Sequence, residues 1–249
     1  VTVIDVCLNF TGLSKFVAID VLRFLLSFDL GGEGAIIFQF LALLMTMLLA
    51  VLLGMGMPAV PAYINVALLM GPLLVGLGIS TFTAHMFIFY FAVASAITPP
   101  VALAAFAAST ITKAEPMATG FSAVRSGIVM FTIPFVFAFY PELLLIDQAL
   151  IDPTSLSNAP LQGYENGINF VGLAWLLARL ILSLYLVATA LAQFDSKSLS
   201  LVEVFTRLVL ALAILMKPEI IHFAAIIFSA GLLSWHAWSA RQVYYSSRI

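Results

Sequence analysis

The chain alternates between long apolar runs and short interruptions that are polar or helix-breaking. Apolar runs occupy residues 35–53, 61–77, 83–97, 101–111, 121–146, 168–192, 201–216 and 220–238. A bilayer core about 30 Å thick needs roughly 20 apolar residues per helix. The longer runs therefore predict transmembrane helices, and the shorter ones predict segments that stop partway or combine with a neighbour. Residues 13–28 differ, because Lys15, Asp20 and Arg23 are mixed with Phe16, Val17, Ile19, Val21, Leu22 and Leu25. That pattern predicts an amphipathic helix near an interface. Residues 147–166 form a polar loop with Asp152, Pro153, Pro160 and Gly163.

Two interruptions fall inside apolar sequence with no charge nearby: Gly54-Met55-Gly56-Met57-Pro58, and Ile97-Thr98-Pro99-Pro100. A glycine costs a helix about 1 kcal/mol, and an interior proline about 3 kcal/mol. Irregular backbone at membrane depth is tolerated only where it is buried in protein or lines a cavity. The first break fits the tip of a re-entrant hairpin with arms at about residues 38–53 and 59–69. The second fits an unwound stretch inside a discontinuous helix. Thr98 supplies a hydroxyl, and Pro99 pushes Thr98 out of the α region. The paired prolines remove two backbone donors and leave upstream carbonyls free. Unwound carbonyls can coordinate a cation, and half-helix N-termini can face an anionic group. With no Asp or Glu at either break, a bound cation would be held by neutral oxygens, which suits Na⁺ or another hard ion. The competing reading is that both breaks are structural kinks.

Composition fixes the setting of these segments. Of 249 residues, 63% are hydrophobic and 9% charged, against about 25% charged in ordinary soluble domains. A soluble fold of this size has too few polar side chains to cover its exterior, so the excess faces lipid. This excludes a soluble enzyme and a disordered chain. A net charge of −2 gives no basic field for nucleic acid. The single cysteine, Cys7, excludes a disulfide framework. Lys113, Arg125, Lys197, Arg207, Arg241 and Arg248 fall on one side if the helices alternate, leaving Lys217 opposite. The positive-inside rule then puts the acidic 147–166 loop outside and the C-terminus in the cytoplasm. The chain starts on Val1 with no signal-peptide pattern, which fits an internal or C-terminal piece of a longer protein.

The remaining polar residues have plain readings beside functional ones. Tyr63 and Asn65 on the second hairpin arm, together with His85 and Ser95, are possible lining of the site. Equally, Tyr63 and Asn65 can satisfy carbonyls at a packed interface, and His85 can be a hydrogen-bonded interfacial histidine. Arg179, near the middle of the 168–192 run, is read as pairing with a neighbouring helix or a lipid headgroup. His222 and His236 are read with Trp235 and Trp238 as an interfacial belt. No histidine pair has helical i, i+4 spacing, so no metal centre and no cofactor beyond a coupling ion is expected.

Several motifs lie in a fixed order: Leu53-Gly54-Met55-Gly56-Met57-Pro58, Ala62-Tyr63, Gly71-Pro72-Leu73-Leu74, Leu77-Gly78-Ile79, Ala84-His85-Met86-Phe87, and Ala96-Ile97-Thr98-Pro99-Pro100-Val101-Ala102-Leu103. Over roughly residues 34–145 this order resembles the second half of the large, DctM-like membrane subunit of tripartite ATP-independent periplasmic (TRAP) transporters. The Gly-Met-Gly-Met-Pro element and the extra C-terminal helices are similar to the fused-subunit TAXI branch. The resemblance implies an elevator-type secondary transporter built from inverted repeats. In it, a periplasmic binding protein delivers a small organic anion such as a carboxylate, and a cation gradient, with Na⁺ the expected ion, drives import. It implies a bacterial inner-membrane location, and a cation and substrate site at Gly54, Met55, Gly56 and Pro58 with Ile97, Thr98, Pro99 and Pro100. The first repeat and the small-subunit region are absent from this sequence, so the chain alone is not expected to transport.

The expected architecture is an all-α polytopic membrane protein. It comprises an interfacial segment (1–34), one transport-core repeat with its hairpin, unwound helix and closing helix (35–146), a periplasmic loop (147–167) and additional transmembrane helices (168–249). The expected partners are the binding protein, the N-terminal half of the permease, the small membrane subunit region and the lipid bilayer. Two other readings stay open at this stage. A membrane-embedded enzyme would need a nucleophile–base pair, and only Ser95, Ser109 and His85 lie near the breaks, without a recognisable motif. A structural membrane subunit would make both breaks simple kinks.

Overall fold

The computed structural model describes residues 35–55, 57–146, 170–195, 198–216 and 218–246. The expected amphipathic helix at 13–28, Cys7, Gly56, the polar loop, Lys197 and Lys217 lie outside the described residues. The chain divides into two compact units, residues 1–167 and 168–249. The described residues are helical, with no strand among them.

The first unit begins with α1 (Ala35–Gly54) and α2 (Ala59–Gly76), joined by a tight turn. These are followed by α3 (Thr81–Ala94), the 3-10 stretch Ser95–Ile97, and α4 (Leu103–Thr112). Then come α5 (Pro116–Gly127), a 3-10 stretch Ile128–Phe131, α6 (Thr132–Phe139) and a last 3-10 turn, Pro141–Leu144. α1, α2 and α3 pack against one another, α4 against α5, and α3 against α6. Their shared core contains Leu43, Val66, Met70, Leu74, Phe87 and Phe91. Phe135 of α6 meets Phe87 at 5.4 Å and Phe91 at 5.9 Å between ring centroids, and Tyr90 donates to the Met130 carbonyl at 3.1 Å. The opposite faces carry exposed Ile37, Leu52, Val60 and Leu68, as helices bathed in lipid should.

Local chemistry sets the ends of these helices. Ser80 caps α3 by accepting from Thr83 N at 3.1 Å. Gly78, with φ of 85°, supplies the left-handed turn before it. Among the described residues, four stretches are long and apolar enough to cross a membrane: Ile37–Gly54, Ala59–Gly76, Pro116–Phe139 and Phe170–Ala192. The run expected at 121–146 is thus displaced towards its N-terminus. Pro116 occupies the first helical turn, and the Glu115 carboxylate accepts from the N–H groups of Met117 (3.0 Å) and Ala118. A polar cap followed by proline starts a helix, so the polar turn becomes part of the helix start. Pro141 then ends the span.

The second unit holds α7 (Phe170–Ala192), α8 (Leu201–Ile214) and α9 (Glu219–Ser246). α8 packs against both α7 and α9. Arg179 of α7 is buried and pairs with a neighbouring helix: it donates to the Ile214 carbonyl at 2.6 and 3.0 Å and to the Met216 carbonyl at 3.0 Å. A cation there satisfies carbonyls that the end of α8 leaves open. Ser200 and Glu203 form a capping box at the start of α8.

Arg207, midway along α8, stays beside the connection from α7 but turns its side chain inward. It is fully buried, donating to Thr189 Oγ1 at 2.6 Å and Asp195 Oδ2 at 2.9 Å. Tyr185 donates to the other Asp195 oxygen at 2.9 Å. The histidines also depart from the belt reading: Trp235 and Trp238 are exposed, whereas His222 and His236 are buried. His222 lies beside Trp175, with ring centroids 6.5 Å apart, and His236 Nδ1 lies 3.4 Å from Glu203 Oε1.

Partial burial pushes the Asp195 carboxyl up. Hydrogen bonds from Arg207 and Tyr185, together with the guanidinium charge, outweigh that and hold it below its ordinary value. A carboxyl depressed in the folded state stabilises the fold above its unfolded pKa, about 3.9. That stabilisation is lost as pH falls through the lower folded value. Thermal unfolding in detergent is therefore expected to shift to lower temperature on acidification below about pH 4. Asp195→Asn should lower stability at neutral pH and flatten that part of the profile. An unchanged acid limb in the variant would remove Asp195 as its source.

Candidate functional site

The first break forms because α1 runs into glycine and then proline. Met55 N still donates to the Val51 carbonyl at 3.1 Å, and Met57 N closes a turn onto the Gly54 carbonyl at 3.3 Å. Pro58, with ψ of 151°, sits before α2 and makes no side-chain cap. The positive end of the α2 dipole therefore emerges at the turn.

The second break forms for the reason the sequence suggests. Thr98 precedes proline and adopts an extended conformation, φ −97° and ψ 121°. The Pro99–Pro100 bond is cis, and the chain passes through Ala102 at φ 24° before α4 begins. Two hydroxyls stand at this end of α3. Ser95 Oγ donates to the Ala92 carbonyl at 2.6 Å, and Thr98 Oγ1 to the Ala94 carbonyl at 2.9 Å. A hydroxyl has one donor and two acceptor lone pairs. With the donor committed to backbone, each oxygen offers acceptors only, which is what a cation requires.

The structure brings the two breaks together. A methyl group built on Gly54 would overlap Ser95 Oγ, would lie 2.7 Å from Ser95 Cβ and would reach 3.4 Å from the Ala92 carbonyl. Only a residue without Cβ allows this approach. α5 closes the other side of the second break, again through glycines. A Cβ on Gly127 would come within 3.3 Å of Ile97 Cδ1, and one on Gly120 within 3.1 Å of Pro99 Cγ. Gly127 lies halfway along the Pro116–Phe139 stretch and Gly120 four residues from its start, so the break runs beside the first half of that stretch.

The other expected residues divide. Ser95 is buried at the contact itself. Tyr63 and His85 form a pair, Tyr63 Oη to His85 Nδ1 at 2.9 Å, with the Phe89 ring edge-on to Tyr63 at 5.8 Å. His85 lies ten residues along the helical path from Ser95, about 15 Å at the helical rise. The pair is therefore set back from the break. Asn65 is buried, and its Nδ2 makes no hydrogen bond to the described residues. Met55 is half-buried at the turn. Among the described residues no three His, Cys, Asp or Glu side chains come together to hold a metal ion. Sequence reasoning passed over Gly120 and Gly127. Their spacing of two helical turns on one face was the available signal, since small residues at that interval let helices approach closely.

The family model for the tripartite ATP-independent periplasmic transporter, DctM component, matches residues 2–150. The match starts upstream of the 34–145 stretch that carries the motifs and leaves α7, α8 and α9 outside it. Comparisons with curated proteins and with solved structures return no match. The matched stretch contains both breaks and the helices that bring them together, and the chain belongs to the DctM component family of TRAP transporters, a membrane permease rather than an enzyme.

Proposed function

We propose that this chain forms the second, transport-core repeat of a cation-coupled secondary transporter. It imports small organic anions such as carboxylates, handed over by a periplasmic binding protein, with Na⁺ as the coupling ion. Its site is the junction of the 54–58 and 97–100 breaks. The observation that carries this reading is the contact of Gly54 with Ser95. It joins two interruptions that would otherwise be separate kinks. Neither break carries an acidic residue, so the oxygens offered are carbonyls and the hydroxyls of Ser95 and Thr98, a donor set suited to a hard monovalent ion. The α2 N-terminus at the same junction offers a positive dipole end to an anion.

On this reading α1 and α2 are the arms of a re-entrant hairpin, and α3 with α4 is the discontinuous helix of one inverted repeat. The N-terminal half of the permease supplies the matching repeat, and a small membrane subunit region, fused in the manner of the TAXI branch, completes it. α7, α8 and α9 follow the core in sequence as additional transmembrane helices. Basic residues between the helices favour a multi-pass inner-membrane protein with a cytoplasmic C-terminus.

The test is uptake by the complete permease in proteoliposomes with its binding protein. An inward Na⁺ gradient is expected to drive accumulation, and Thr98→Ala to reduce it by at least about tenfold, the loss of one charge-directed oxygen at roughly 1.5 kcal/mol or more. Uptake indifferent to both Na⁺ and H⁺ gradients would sink the coupling. Uptake intact in Thr98→Ala would return the break to a structural kink.

A further inference from the structure

Beyond the shared apolar core, two specific contacts join α1 and α2 to α3, and they differ in kind. The end of α1 is held by contact: Gly54 sits against Ser95 with no room for a methyl group. α2 is tied by a hydrogen bond between side chains, Tyr63 Oη to His85 Nδ1 at 2.9 Å. The Phe89 ring stands edge-on to Tyr63, 83° between planes, and limits where the phenol can point. α1, α2, α3 and α6 contain no acidic or basic residue apart from His85. A Tyr63 hydroxyl released from His85 would find no other charged or basic side chain on these helices. Its loss would leave a phenol and an imidazole unsatisfied in apolar surroundings, which is costly.

We infer that Tyr63 and His85 are positioning residues that clasp the second hairpin arm to α3 and so set the geometry of the ion site at the two breaks. This rests on the reading of the breaks as that site. His85 lies about 15 Å along the helical path from Ser95, and Tyr63 stands five residues beyond Pro58 on α2, so the pair ties α3 to the arm that leads out of the first break. They act through α2.

The experiment measures initial uptake by the complete permease, with its binding protein, over a range of Na⁺ concentrations. Tyr63→Phe keeps the ring and its packing on Phe89 but removes the hydroxyl. It is expected to raise the KM for Na⁺ about fivefold, the scale of one net hydrogen bond, with kcat changed by less than about twofold. His85→Leu should do the same. His85→Gln, which keeps an acceptor, should restore a KM near the original. The Tyr63→Phe/His85→Leu double variant should be no worse than either single one. An unchanged KM in Tyr63→Phe overturns the clasp, as does a fall in kcat with KM unmoved. Equal KM values in His85→Gln and His85→Leu overturn it too. Thr98→Ala measured alongside separates the two readings. Loss of uptake there with a normal KM in Tyr63→Phe defeats the clasp and leaves the site standing. Normal uptake there with a raised KM in Tyr63→Phe defeats the site at the second break and not the clasp.

Discussion

Gly54→Ala is expected to suppress uptake by the complete permease and to lower its thermal stability, and Ser95→Gly is expected to abolish the effect of that change. Helix propensity argues the other way. Alanine at the end of α1 would favour the helix by about 1 kcal/mol over glycine, so a role limited to ending α1 predicts a neutral or stabilising substitution. The tertiary contact decides the sign. The new methyl would lie 2.7 Å from Ser95 Cβ, an atom fixed directly to the backbone and unable to rotate away. Either the hairpin or the end of α3 must move. Forcing a methyl into a packed contact costs about 1–3 kcal/mol, which is roughly a 5- to 150-fold shift between seated and displaced hairpins. Ser95→Gly removes both offending atoms and leaves only the Ala92 carbonyl at 3.4 Å, an ordinary contact. Ser95 is itself proposed to offer an oxygen, so each alanine variant is compared within its own background. Gly54→Ala should cost uptake strongly beside Ser95 and little beside Gly at position 95. Equal losses in both backgrounds would show that the two breaks do not communicate through this contact.

That contact marks the limit of what the sequence could disclose. The apolar runs and their interruptions were readable because bilayer thickness sets helix length, and because glycine and proline interrupt helices by local sterics. The break at Thr98 was readable for the same reason: the residue before a proline is pushed into extended backbone wherever it sits. Which face of each helix meets which neighbour was not readable. Membrane helices such as α1 and α3 are apolar all round, so periodicity does not single out a buried face. The meaning of Gly54, Gly120 and Gly127 depends on the side chains opposite them, and Ser95, Pro99 and Ile97 lie on a different helix. Boundaries moved where a cap outweighed composition, as at Glu115 and Pro116. The surroundings of Arg207 were hidden for another reason: a count of basic residues places it beside a helix connection but does not tell that its side chain folds back onto Asp195 and Thr189 and is fully buried.

The burial of Arg207 gives the second large expected effect, and its size should depend on which partner is removed. Breaking a buried ion pair on one side costs about 3–5 kcal/mol, because a charge is left without compensation. The two partners are not equally buried: the Asp195 side chain keeps 15% of its exposure and the Arg207 side chain none. Arg207→Met leaves a carboxylate that still accepts from Tyr185 and still meets solvent, and the methionine replaces most of the apolar stem. Asp195→Ala leaves a guanidinium in an apolar setting with Thr189 as its remaining hydrogen-bond partner among the described residues. Asp195→Ala is therefore expected to be the more destabilising of the two. The combined Asp195→Ala/Arg207→Met variant should recover most of the loss, since it strands neither charge. Thermal unfolding of the three variants in the same detergent at neutral pH reads the order directly. If Arg207→Met costs as much as Asp195→Ala, or the double variant is worse than both, the stabilisation lies in the packing of the arginine stem and not in the neutralisation of a buried charge.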